Sequence, residues 1–152
     1  MAQTITLTFT KADIKKLLET QVWKLGRATE TDANPKQIYN LSADEGSADS
    51  LIVNDSLNRR MNEAFEAISE YTNIITPTST QWTVTLTMPS AWASTADELT
   101  EAMKGYVVAG MNYDWLIHVF PSEASKYVAL MNDYKAKITR TLYAIKAPQF
   151  NS

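Results

Sequence analysis

The chain has 152 residues, 45% of them hydrophobic and 20% charged, which suits one folded domain with its own core and argues against wholesale disorder. A net charge of -3 argues against a general nucleic-acid binder, and no apolar run approaches the ~20 residues that span a bilayer. Zero cysteines exclude disulfides, thiolate metal sites and cysteine nucleophiles. Met1–Thr6 lacks the basic and apolar regions of a secretory signal, so synthesis and use without membrane passage are expected.

In chain order, Ile5-Thr6-Leu7-Thr8-Phe9 alternates large apolar residues with threonine, the period of a strand with one buried and one wet face. Thr10-Lys11-Ala12-Asp13 then has capping-box spacing, and Ile14, Leu17, Leu18, Val22 and Leu25 predict a helix over Lys11–Leu25 that stops at Gly26. Residues 27–50 read as a long polar connection anchored by Ile38, Tyr39 and Leu41, a length more common in contact surfaces than in plain loops. A second helix runs from Ser50 or Asp55 to Tyr71, with Leu57, Met61, Ala64, Phe65 and Ile68 on its apolar stripe and Arg59 set to pair with Glu63.

Thr76-Pro77-Thr78-Ser79-Thr80 reads as a turn-rich linker. Trp82-Thr83-Val84-Thr85-Leu86-Thr87-Met88 repeats the strand pattern until Pro89 ends it. The third helix starts near Ser94 and runs to Phe120 with a wide apolar face. Gly105 and Gly110 inside it point to close approach by another backbone. Pro121 breaks that helix, and Ser122 is placed to cap a fourth, Glu123–Lys146, whose C-terminal half gathers Lys135, Lys137, Arg140 and Lys146. The expected architecture is α+β, mainly α: a single domain, 1–152, with a strand in 1–10, a four-helix bundle-like core in 11–146, an inserted ribbon at 81–89 and a tail at 147–152. Its two-stranded antiparallel element pairs within or between subunits, because open strand edges need partners.

Charge is uneven along the chain. Residues 1–29 hold five basic and two acidic groups (+3), and 30–70 hold three and nine (-6). Residues 71–125 hold one and five (-4), and 126–152 hold five and one (+4). Such asymmetry suits copies that meet acidic face to basic face, and it equally describes ordinary solvated helix surface.

The residue chemistry points to no catalytic, metal or cofactor site. His118 is the single histidine, set in the apolar run Ile117 to Phe120, so a half-buried structural role is expected; an enzyme built on Asp114 and His118 is the weakest reading. Asp44, Glu45 and Asp49 lack calcium-loop spacing, the glycines form no phosphate-binding loop, and no serine sits in a nucleophile elbow. The basic fourth helix with Tyr134 and Tyr143 could neutralise phosphates, but no recognition motif accompanies it.

Three segments carry a likeness: Asn112-Tyr113-Asp114-Trp115, Pro121-Ser122-Glu123-Ala124 and Ile138-Thr139-Arg140-Thr141-Leu142-Tyr143-Ala144-Ile145-Lys146-Ala147-Pro148. With the order of elements, they resemble the head–tail connector (adaptor or head-completion) proteins of tailed bacteriophages, in particular neck-ring proteins of phages of gut Bacteroidetes. The resemblance implies a virion structural protein without catalysis or cofactor. It is made in the host bacterial cytoplasm and forms a closed ring of identical copies, of the dodecameric kind, in the neck. Its partners would be its own copies, the portal protein and another neck or tail protein, with genome DNA passing through the channel and no membrane. Carried over, Ile5, Leu7, Phe9, Trp82, Val84, Leu86 and Met88 of the ribbons would meet neighbouring subunits. Lys135, Lys137, Arg140, Lys146, Pro148 and Phe150 would form a basic face and docking tail. The alternative is a small cytoplasmic adaptor domain that binds one protein partner.

Overall fold

A computed structural model describes residues 2–28 and 50–147. The elements are β1 (Gln3–Thr10), α1 (Lys11–Ala28), α2 (Ser50–Ala67), a 3-10 turn (Ser69–Tyr71), β2 (Thr72–Pro77), β3 (Gln81–Met88), α3 (Ala96–Val119) and α4 (Pro121–Leu142). The fold is therefore α+β and mainly helical. The connection expected at 27–50 lies almost wholly outside the described residues, as do Pro148 and Phe150 of the tail.

The sheet has three strands, not two, in the order β1-β3-β2, with both neighbouring pairs antiparallel. Thr72–Pro77, which falls between the expected helix end at Tyr71 and the linker expected from Thr76, is the extra strand. Nothing in its own pattern makes it one, since it neither alternates nor avoids proline. A tight hairpin does: Thr78 N–H donates to Gln81 O at 2.8 Å, and the Thr78 hydroxyl accepts from Thr80 N–H and Gln81 N–H. A bulge at Asn73 shifts the β2 register, and Asn73 Nδ2 donates across it to Thr87 Oγ1 at 2.5 Å.

Period-2 alternation fixes the two faces. Ile5↔Leu86, Leu7↔Val84 and Phe9↔Trp82 pair on the core side, while Thr4↔Thr87, Thr6↔Thr85 and Thr8↔Thr83 pair on the other. Leu7, Phe9, Trp82, Val84, Leu86 and Met88 are buried in one cluster with the helices. Phe65 of α2 meets Phe9 and Trp82 edge-on, at 5.9 and 6.2 Å between ring centroids. The sheet is thus a wall of the core. Because β3 is central, Trp82–Met88 has strands on both sides and no free edge.

Helix α3 carries the centre of that core. Thr95 caps it by accepting from Glu98 N–H at 3.2 Å, and Leu99, Met103, Val107 and Met111 recur on its buried face. The two glycines answer side chains, not a backbone. The Tyr134 ring of α4 lies against Gly105, and a β-carbon on Gly110 would come within 2.6 Å of Arg60 Cδ. Pro121 occupies the first turn of α4, but Phe120 is the residue at its cap and Ser122 is not; no side chain caps this end. Helix α4 stops at Leu142, short of the expected Lys146, because the next residues turn back. Ala93 N–H donates to Ala144 O at 2.8 Å, and Lys146 N–H to Ala91 O at 2.7 Å. Helix α1 runs past Gly26 to Ala28, and α2 ends at Ala67 rather than at Tyr71.

Candidate functional site: surfaces rather than a cleft

The anchored polar centre of the molecule is an ion cluster between α2 and α3. Asp114 accepts from Arg60 Nη2 at 2.5 Å and Nε at 3.0 Å, from Ser56 Oγ at 2.6 Å, and pairs with Arg59 Nη2 at 2.9 Å. Arg60 also donates to Glu63 at 2.9 Å. Burial alone would raise the Asp114 carboxyl. Hydrogen bonds from Arg60 and Ser56 and the charges of both arginines outweigh it and hold the carboxyl below its ordinary value. The expected Arg59–Glu63 pair is replaced by Arg60–Glu63, with Arg59 turned to Asp114. Partners 54 and 58 positions apart leave no local signal, so spacing could not have found this cluster.

His118 shares an open groove with this cluster, along with Leu51, Ile52, Tyr113 and Ile117. It is exposed, against the expectation of a half-buried residue, and makes no hydrogen bond to Asp114 among the described residues. Three of the four contacts at Asp114 fall on Oδ2 and one on Oδ1, so the carboxylate is held by cations and a hydroxyl from α2. Among the described residues no group of three His, Cys, Asp or Glu is placed to hold a metal. No helix of the described residues is long and apolar enough to cross a membrane.

The candidate interface residues separate into two groups. Leu7, Phe9, Trp82, Val84, Leu86 and Met88 are buried within the single chain, and Ile5 packs half-buried against them. Their side chains build this chain's own core because the alternation that made them candidates turns them to the helices. Lys135, Lys137, Arg140 and Lys146 are exposed, and none of these cations pairs with a carboxylate among the described residues. Acidic groups flank them on two sides: Glu66 across a groove from Lys135, and Asp97, Glu98 and Glu101 across another from Lys137 and Arg140. Next to this stripe the Tyr143 ring meets Tyr71 at a tilt, 5.8 Å between centroids, and its hydroxyl donates to Glu70, a bond that raises its phenol above the ordinary value.

Ile74 and Ile75 of β2, which the sequence did not mark, are 58% and 36% exposed, and Ile145, expected on the apolar stripe of the fourth helix, lies beyond its end and is 68% exposed. A separate groove runs between α1 and α4 over α3, with Leu17, Val108, Ala109, Tyr127 and Leu130 on its sides. No family model, curated protein or solved structure matches the chain.

Proposed function

We propose that this chain is a structural subunit of a tailed-phage virion, a ring-forming connector in the neck between capsid portal and tail, with the helices as its bundle-like body. The observation that carries the reading is the α4 surface. Lys135, Lys137 and Arg140, exposed and without carboxylate partners among the described residues, lie beside acidic rims, and exposed Tyr143, Ile145 and Lys146 follow the helix end. A surface with unpaired charge of both signs and exposed apolar residues gains by contact with a complementary surface, and copies of one chain supply both halves. The segment likeness in Asn112–Trp115 and Ile138–Pro148 supports the portal vertex as the seat of that contact, with DNA passing through the ring unread. The role is structural, without catalysis or cofactor.

The groove between α1 and α4 favours a second reading, an adaptor domain that takes an apolar helix from one protein partner. Native mass separates the two. Purified protein, alone and mixed with the portal protein of its own phage, should give a discrete ring by light scattering and negative-stain imaging. A chain that stays single in both conditions removes the connector reading.

A further inference from the structure

Every strand edge in a sheet must be paired, covered or protected. Of the three strands here, the outer two each have one side that faces no strand among the described residues. Apart from Thr72 N–H, which donates to Ser69 O at the start of β2, no backbone hydrogen bond joins β1 or β2 to a described residue outside the sheet. Natural edges are usually guarded by charge, above all lysine, or by inward-pointing ionic groups. None of the residues in Gln3–Thr10, Thr72–Pro77 or Gln81–Met88 is Asp, Glu, Lys or Arg. The β2 edge has only Pro77 and the Asn73 bulge as obstacles, one at each end, and Ile74 and Ile75 stand exposed between them.

From this we infer that copies of the chain join head to tail through the sheet, the β2 edge of one protomer pairing with the β1 edge of the next. The inference rests on the self-assembling connector reading and names its contact. The occupant is a second copy because the chain supplies both halves: two uncharged edges on opposite sides of one sheet, both without a strand partner among the described residues. A head-to-tail contact uses both edges of every copy and leaves none open when it closes, whereas a two-fold β2–β2 contact leaves every β1 edge bare. Direction follows from topology. β1 and β2 are each antiparallel to β3, so they run the same way, and a sheet continued by repetition pairs β2 with the next β1 in parallel. The two faces also carry over. Ile75, opposite Val84 on the core side, would come beside the apolar side of the next β1, and Ile74 beside its threonines.

The absence of cysteine makes the test clean. Ile74→Cys on β2 and Thr4→Cys, Thr6→Cys or Thr8→Cys on β1 point to one face, and neighbouring strands bring such positions within disulfide reach. Chains carrying one β2 and one β1 cysteine, oxidised at their native mass alone and with the portal protein, should give a ladder of covalent multimers for at least one pairing. Each single variant should give none. A strong dimer from Ile74→Cys alone would mean two-fold pairing and overturns the inference; so does an oligomer in which no combination cross-links. In that last case the ring itself survives, because native mass reports it independently. A chain that is single in both conditions removes ring and pairing together. As a second arm, Ile74→Lys, at a site already exposed, should keep the circular dichroism spectrum and weaken association at least tenfold; unchanged association overturns the proposal.

Discussion

Asp114 and Arg60 each keep only 11% of their side-chain surface, so removing one leaves the other charged and poorly solvated. Asp114→Ala should lower unfolding stability by about 3 kcal/mol, the low end for a broken buried pair because Glu63 stays beside Arg60. Urea midpoints read this directly. The pH dependence has a defined sign. A carboxyl held below its unfolded value of about 3.9 contributes stability above that pH and loses it as pH falls through the folded value. The gap between wild type and Asp114→Asn should therefore hold above about pH 4 and narrow as pH falls below it. Gly105 gives a second test at this scale. Alanine there would gain about 1 kcal/mol of helix propensity, but its methyl enters the Tyr134 ring. Overpacking of that kind costs about 1–3 kcal/mol, so Gly105→Ala should destabilise. Pairing it with Tyr134→Ala should relieve the clash, which thermal melts of the single and double variants would show.

At the scale of elements, what was legible in the sequence was what a single segment determines. The stripes of Ile14 and Leu18, of Leu57, Met61 and Ile68, and of Leu99, Met103 and Val107 mark helices because burial of one face repeats every three to four residues. The Thr-alternating strands were legible for the same reason. β2 was not, because its strand state comes from the hairpin and from β3, not from its own residues. The end of α4 was equally hidden, since the turn at Tyr143 depends on backbone bonds to Ala91 and Ala93, about fifty residues away. Trp92 strengthens that clasp: its indole N–H donates to Thr141 O at 2.8 Å, and its ring is buried. Two truncations should therefore behave differently. Ending the chain after Ala147 keeps every clasp bond and should leave the melting temperature unchanged. Ending it after Leu142 removes the bonds to Ala91 and Ala93 and uncovers Trp92, and should lower stability by about 2–4 kcal/mol.

For the whole molecule, the candidate surfaces could be named from sequence only where exposure and sequence pattern agree. Lys135, Lys137 and Arg140 lie on the solvent side of an amphipathic helix, so their placement followed from period alone; the apolar ribbon residues point inward for the same reason. In the proposed ring, the α4 cations would work between copies. Because they are exposed and make no ion pair with a carboxylate among the described residues, Lys135→Gln, Lys137→Gln and Arg140→Gln together should change folding stability by no more than about 0.5 kcal/mol. Association should respond instead. Screening shortens from about 10 Å at 0.1 M salt to about 3 Å at 1 M, so a contact that uses these charges weakens across that range in the wild type. The triple variant should start weaker and show a flatter salt dependence, as native mass at several protein concentrations would report. If wild type and variant assemble alike at every salt concentration, the basic stripe is solvated surface, and apolar and backbone contacts alone hold the copies together.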